Sequence, residues 1–131
     1  MIYLDSSALL TLLFQEAESD ALEAWLGSRG GDPKVSSELA KVEVLRACRR
    51  LDRRVLPAAQ LLLTQLDVVP LAASVVDQAC HLEGDTLRSL DALHLASGLS
   101  LGADLAAFVA SDHLLAAAAN KLGLTTVRPG G

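Results

Sequence analysis

The 131-residue sequence is poor in aromatic residues, in cysteine and in long apolar runs. It has one Trp, one Tyr and two Phe, so aliphatic side chains must supply the core. Its two cysteines, Cys48 and Cys80, lack the spacing of zinc ligands, and we expect two reduced, buried thiols in a cytoplasmic protein. No apolar run reaches the roughly 18 residues that a membrane span needs, and the N-terminus lacks the basic start of a signal peptide.

The sequence also lacks an excess of basic residues, since its formal net charge is -5. This balance argues against a large surface that tracks phosphates. It does not exclude a nuclease, because carboxylates clustered around a metal site shift the net charge in the same direction. With 51% hydrophobic residues, the chain is expected to fold as one ordinary domain over residues 1–131.

Short apolar runs alternate with longer helical patterns along the chain. Predicted strands cover residues 1–5, 35–37, 68–70, 106–111 and 124–127. Predicted helices cover residues 8–14, 16–28, 38–54, 57–66, 72–84, 89–101 and 112–122. This alternation predicts an α/β fold with a mostly parallel central sheet and helices on both faces.

Helical spacing also predicts which side chains face the core. In the helix over 38–54 the inward positions are Leu39, Val42, Leu45 (or Ala47), Cys48 and Leu51. In the helix over 72–84 they are Val75, Val76, Ala79 and Leu82. A serine is expected to cap the first helix. A further hypothesis is an apolar groove near the N-terminus that binds a helix of a partner protein. The alternative is that its residues are ordinary core. They are Leu10, Leu13, Phe14, Trp25 and Leu26.

Four acids occupy positions that favour a shared site. Asp5 and Asp112 each follow a predicted strand, and ligands of α/β sheets bind beyond the carboxyl ends of strands. Glu43 lies beside the apolar stripe of its helix, and Asp91 lies in the first turn of another. Carboxylates suit Mg²⁺ or Mn²⁺, which promote phosphodiester hydrolysis. Taken singly, the acids also have structural explanations: helix capping, the helix dipole, or an ion pair between Glu43 and Arg46.

Four segments, taken in order, resemble the motifs of PIN domains. They are MIYLDSSAL at residues 1–9, SELAKVEVLRA at 37–47, LDALHLASG at 90–98 and FVASDHLLAAA at 108–118. The third and fourth segments are the more specific. The ending GLTTVRP at 123–129 is also similar, so the resemblance covers nearly the whole chain.

The resemblance implies a PIN-like domain and an acidic site that binds Mg²⁺ or Mn²⁺ through Asp5, Glu43, Asp91 and Asp112. The hydroxyl residues beside these acids would orient water or phosphate; they are Ser6, Ser7 and Ser111. The VapC-like branch of the family implies RNA cleavage, homodimers and an antitoxin protein that blocks the site. One departure is that residues 114–118 lack the further acid of some members, so a second metal is expected to bind weakly or only with substrate.

Two other features have competing interpretations. The basic run Arg46, Arg49, Arg50, Arg53 and Arg54 is a track for RNA, an antitoxin-binding face or, as charge runs usually are, a solvated helix face. Arg46, one turn from Glu43, is the best candidate in it for orienting substrate. His94, one turn from Asp91, is expected to be a core histidine rather than a ligand, because these metals prefer oxygen.

Two other functional classes are alternatives to a ribonuclease. A PIN-like module that binds RNA or protein with little or no cleavage is the main alternative. A phosphoacceptor receiver domain also places acids at strand ends. That fold needs a pair of adjacent acids after the first strand, where this chain has Asp5 and Ser6, and a lysine near the last strand, where none follows Lys121.

Overall fold

The computed structural model describes residues 1–130. Five short strands form one sheet: β1 (Ile2–Leu4), β2 (Lys34–Ser37), β3 (Asp67–Val69), β4 (Ala107–Val109) and β5 (Thr126–Val127). All pair in parallel, in the order β3-β2-β1-β4-β5. This confirms the predicted α/β class with a parallel sheet, because parallel neighbours require crossover connections and the helices supply them.

Seven α-helices connect and cover the strands. They are α1 (Ser6–Phe14), α2 (Ser19–Gly27), α3 (Glu38–Leu51), α4 (Leu56–Thr64), α5 (Ala73–His81), α6 (Ser89–Leu99) and α7 (His113–Lys121). Single turns of 3-10 helix precede α4, at Arg53–Val55, and β4, at Gly102–Asp104. Within residues 1–130, none of these helices combines the length and the apolar character required to cross a membrane.

The central strand β1 is buried on both faces, and its alternating side chains separate two cores. Ile2 and Leu4 pack with residues of α1 to α4 on one face. Tyr3 packs on the other face with Leu95 of α6 and Leu115 of α7. The predicted placement of helices on both faces is therefore confirmed.

The predicted inward face of α3 is partly wrong. Val42 is 57% exposed and Leu51 is 61% exposed. The residues that are buried are Ala40, Val44, Ala47 and Cys48, none of them larger than valine. Small side chains let α3 lie close to the sheet, whereas apolar spacing alone does not distinguish two adjacent stripes of the same helix.

Two predicted positions in α5 need the same correction. Val76 is 43% exposed although it was predicted to face inward, while its neighbour Val75 is buried. Cys80 is exposed and Cys48 is buried, and both are free thiols. The prediction of two buried thiols therefore holds for Cys48 alone, because α5 covers the protein with only a narrow stripe.

Helix ends also differ from the sequence prediction. The cap of α1 is Asp5 and not a serine, because the Asp5 side chain accepts the backbone N–H of Ala8. The helix predicted to reach residue 54 ends at Leu51, since Asp52 adopts an extended conformation and caps the 3-10 turn that follows.

The five side chains of the hypothetical groove in α1 and α2 lie partly buried against the first core, and their role as a partner site stays a prediction.

At Gly98, α6 packs closely on the sheet, and a substitution at this position tests that contact. A Cβ atom at this position would lie 2.9 Å from Cδ2 of the Phe108 ring, which is itself fully buried. We expect Gly98→Ala to destabilise the fold, because overpacking costs about 1–3 kcal/mol and alanine regains only about 1 kcal/mol of helix propensity.

The matched control is Gly27→Ala, where no atom lies within 4 Å of the added Cβ. Urea unfolding of both variants gives the comparison. A Gly98→Ala protein as stable as the control would contradict the close contact between α6 and β4.

Candidate active site

An open cleft of about 420 Å³ lies beyond the carboxyl ends of β1 and β4. Its lining includes all four predicted acids and three of the four predicted orienting residues: Asp5, Glu43, Asp91, Asp112, Ser6, Ser7 and Arg46. Leu10, Val42, Ala47, Arg50 and His94 complete it. β1 and β4 are direct neighbours, so the acids that follow them face the same space.

Asp5 carries its carboxyl group into the protein interior, with only 3% of the residue exposed. Its Oδ1 accepts the backbone N–H of Ala8 at 2.9 Å, and the Ser7 hydroxyl lies 2.7 and 2.8 Å from the two carboxyl oxygens. Burial nevertheless raises the pKa of Asp5 to about 6, with the nearby His94 and these hydrogen bonds opposing the shift. A neighbouring cation would stabilise the charged form.

The Ser7 hydroxyl joins the two strand ends. While it donates to Asp5, its oxygen accepts the backbone N–H groups of Ser111 at 3.0 Å and Asp112 at 3.1 Å. The Ser111 hydroxyl points elsewhere and accepts a hydrogen bond from Thr11 at 2.8 Å. Ser111 thus contributes through its backbone and does not line the cleft as its predicted orienting role would require.

Glu43 reaches the cleft from the second turn of α3. Its Oε1 accepts the Ser6 hydroxyl at 2.6 Å and lies 2.7 Å from Nε2 of His94. Burial opposes the charge, but the hydrogen bonds from His94 and Ser6 outweigh it, so the pKa of Glu43 lies below its ordinary value. The carboxylate is therefore ionised at neutral pH. Its second oxygen, Oε2, accepts no hydrogen bond from residues 1–130.

His94 is buried as predicted, with 2% of the residue exposed, but the sequence reasoning missed its contact with Glu43. Its Nδ1 lies 2.8 Å from the Tyr3 hydroxyl. Burial raises the pKa of Tyr3 far above its ordinary value, so the phenol keeps its proton and can donate it to Nδ1. Nε2 then carries the ring proton and donates to Glu43. The spacing of His94 from Asp91, one turn apart on α6, was the only sequence signal for this position.

Asp91 and Asp112 also line the cleft. Burial raises the pKa of Asp91, and the charges of Asp112 and Glu43 raise it further. Asp91 accepts no side-chain hydrogen bond from the described residues, whereas Oδ1 of Asp112 caps α7 through the N–H of Leu114 at 2.8 Å. Asp91 is thus free of hydrogen bonds to its side chain within residues 1–130, although the charges of His94 and Arg88 favour its ionised form.

Two arginines stand on the rim, on the same face of α3 as Glu43. Arg46 follows Glu43 by one turn and Arg50 by two, and both side chains are exposed. Neither forms a salt bridge within residues 1–130, so the ion pair considered between Arg46 and Glu43 does not form. Both guanidinium groups are free to contact a ligand.

The chemistry of these residues fits a hard divalent cation. As the side chains stand, no three His, Cys, Asp or Glu residues of the described chain are close enough together to hold a metal ion. The four carboxyl groups nevertheless line one cleft, and mutual repulsion disfavours the charge of Asp91. A cation that draws them together would remove this repulsion, and the all-oxygen donor set suits Mg²⁺ or Mn²⁺.

Comparison with known proteins gives a consistent set of relatives. The PIN domain family model matches residues 2–121. The chain is 42% identical to ribonuclease VapC35 of Mycobacterium tuberculosis, over 99% of this chain and 98% of that protein. Its fold is similar to the crystal structure of M. tuberculosis VapC20, described as a Sarcin-Ricin loop cleaving toxin, with a TM-score of 0.77 at 20% identity over 98% of this chain and all of that one. It is also similar to a chain of a toxin–antitoxin complex from Klebsiella pneumoniae, with a TM-score of 0.64 at 19% identity over 86% and 87%.

The raised pKa of Asp5 predicts that the metal-free protein is stabilised when this charge is removed. The pKa rises from 3.8 to about 6 in the fold, so the folded state favours the protonated form. The contribution of Asp5 to the stability of the wild type should then fall as the pH rises from 3.8 through 6. We expect Asp5→Asn, with EDTA present, to raise the free energy of unfolding by about 2–3 kcal/mol at neutral pH and by little near pH 4.

Urea unfolding at both pH values measures this difference. Asp85→Asn is the matched control, because it removes one exposed carboxylate outside the cleft. An Asp5→Asn protein that is less stable than wild type at neutral pH would show that the buried carboxylate is compensated within the fold.

Proposed function

The chain belongs to the PIN domain family, among the VapC-type ribonucleases, and we propose that its acidic cleft hydrolyses RNA phosphodiester bonds with Mg²⁺ or Mn²⁺ as cofactor. We further propose that it is the toxin of a toxin–antitoxin pair. The observation that carries the proposal is the convergence of four carboxyl groups, from Asp5, Glu43, Asp91 and Asp112, on one open cleft. These acids come from separate segments of the chain, and a purely structural role for each gives no reason for them to meet.

The four acids are assigned as metal ligands and as the catalytic set. When bound, a divalent cation lowers the pKa of water and stabilises negative charge on the transferring phosphate. Asp91 has both oxygens free for this role, and Asp5 and Glu43 each keep hydrogen-bond partners that hold their orientation. Ser6 and Ser7 orient these two carboxylates, and the backbone of Ser111 helps to place Ser7.

The rim arginines supply the positive charge that phosphate groups of RNA need in a cleft lined by acids. We assign Arg46 and Arg50 to phosphates on either side of the reacting one, because planar guanidinium groups bind phosphate oxygens in pairs. They are exposed, unpaired within the described chain and next to the carboxylates. A small local basic patch in a protein of net charge -5 favours a short RNA contact over a long track.

The partners that we propose are an RNA substrate, a cognate antitoxin protein and a second copy of this chain in a homodimer. The ribonuclease name of the 42% identical relative supports the first. The toxin–antitoxin complex among the structural neighbours supports the second, and the resemblance to VapC-type toxins supports the third. The two free thiols favour the reducing cytoplasm.

The alternative is a module that binds RNA or protein without cleaving. The observation in its favour is that no three potential ligands of the described residues are yet close enough to hold a metal ion. Against it, the cleft keeps all four acids. Cleavage and metal binding, measured on the same samples, distinguish the two functions.

Replacing Asp91 tests the proposed function. We expect Asp91→Asn to bind Mn²⁺ far more weakly in calorimetry and to lose cleavage of a mixed RNA substrate. The fold should survive, because Asp91 makes no side-chain hydrogen bond within residues 1–130 and its negative charge is repelled by neighbouring acids.

Asp85→Asn, six residues earlier on an exposed loop, is the control with the same change of charge and should behave as wild type. Full cleavage by a well-folded Asp91→Asn protein would contradict the proposal. A folded wild type that binds RNA but neither binds Mn²⁺ nor cleaves would favour the binding module.

The arginine assignment makes a separate prediction about salt. Each phosphate contact to single-stranded RNA contributes roughly 0.7 to the slope of log affinity against log salt concentration. We expect Arg46→Gln and Arg50→Gln each to weaken RNA binding and to flatten this slope by about that amount. Arg49→Gln is the matched control, since Arg49 is exposed on the same helix but does not line the cleft. Equal effects of all three substitutions would indicate a nonspecific basic surface.

A further inference from the structure

Two buried polar side chains, Tyr3 and His94, connect the core to the cleft by hydrogen bonds. The Tyr3 hydroxyl lies 2.8 Å from Nδ1 of His94, and Nε2 of His94 lies 2.7 Å from Oε1 of Glu43. Tyr3 is fully buried and His94 is 2% exposed, whereas Glu43 lines the cleft. A continuous set of hydrogen bonds thus runs from the middle of β1 to a proposed metal ligand.

Packing holds this chain of residues in one arrangement. The Tyr3 ring stacks on Phe108, with ring centroids 5.1 Å apart and an angle of 8° between the planes. It meets the His94 ring edge to face, at 6.0 Å and 72°. Gly98 brings α6 against the same Phe108 ring, so the backbone that carries His94 is placed by the core. The core therefore positions the imidazole.

The two ring nitrogens of His94 have distinct partners, so His94 is not among the proposed metal ligands. With the Tyr3 phenol donating to Nδ1, Nε2 carries the proton and points it at Glu43. The Ser6 hydroxyl donates to the same Glu43 oxygen at 2.6 Å and lies 3.1 Å from Nε2. Both nitrogens are occupied, and the cleft offers oxygen ligands that Mg²⁺ and Mn²⁺ prefer.

We propose that His94 is a positioning residue for metal binding, which holds Oε1 of Glu43 in place so that Oε2 is presented to the cation, and that Tyr3 fixes the His94 ring for this task. The inference rests on the proposed function. A flexible glutamate with one oxygen held by two donors is ordered before the cation arrives, and such outer partners of ligands tune metal affinity.

The test compares two substitutions that differ in reach. The amide nitrogen of glutamine corresponds to Nε2 of histidine, so His94→Gln retains a donor to Glu43. The side chain of asparagine is one methylene shorter, so His94→Asn retains polarity near Tyr3 but loses the contact with Glu43. Calorimetry with Mn²⁺ alone, thermal unfolding without metal and RNA cleavage are measured on the full chain.

We expect His94→Asn to lose roughly 10–100-fold in Mn²⁺ affinity, the usual effect of removing an outer partner of a ligand, and to lose cleavage in parallel. His94→Gln should recover most of the affinity. Both variants replace a packed ring by a smaller amide, so a merely structural role would lower their melting temperatures without separating their Mn²⁺ affinities. Tyr3→Phe removes a single oxygen and should weaken Mn²⁺ binding several-fold.

Equal Mn²⁺ affinities of wild type and His94→Asn would overturn the inference while the proposed function stood. Equal losses in His94→Asn and His94→Gln would also overturn it. If neither His94 variant folds, Tyr3→Phe decides, and an unchanged affinity there would reject the positioning role. A wild type that neither binds Mn²⁺ nor cleaves contradicts the proposed function itself, and the inference with it.

Discussion

Asp5 follows the most buried strand of the sheet, and its carboxyl group has almost no access to water. A charge in that position costs free energy unless neighbouring groups compensate it. The first turn of α1 provides part of the compensation, through the backbone N–H of Ala8 and the hydroxyl of Ser7. Because burial still raises the pKa of Asp5, the compensation is incomplete, and the arrangement favours a cation in the adjacent cleft.

Ser7 extends this constraint to the neighbouring strand. Its hydroxyl oxygen accepts the N–H groups of Ser111 and Asp112, so the chain after β4 is tied to the chain after β1. The helices then bring the remaining groups: α3 supplies Glu43 and the rim arginines, and α6 supplies Asp91. Acids and arginines thus line one opening, which suits a ligand that carries both a cation and phosphates.

Two of the four aromatic residues, Tyr3 and Phe108, pack in the second core next to the cleft. Tyr3 and Phe108, from adjacent strands, stack in the second core, and Gly98 allows α6 to approach them closely. Protein interiors are close-packed, so a change in this layer is expected to reach the groups that pack on it. Tyr3 is also the only aromatic residue here that joins a polar group of the site, through His94. Stability and site geometry are therefore coupled in this layer.

The amino-acid sequence by itself determined the class of fold and the approximate order of strands and helices, and it predicted the four acids and the chemistry that suits them. These follow from local patterns: short apolar runs, helical spacing, and acids that come just after strands. Local patterns could not select which of two adjacent apolar stripes of α3 faces the sheet, so Val42 and Leu51 were misplaced. Nor could they show that Cys80 is exposed, that Asp5 caps α1 or that Ser111 acts through its backbone. Only the tertiary structure decided that His94 contacts Glu43 and that Arg46 does not, because these contacts depend on how α3 and α6 pack across the sheet.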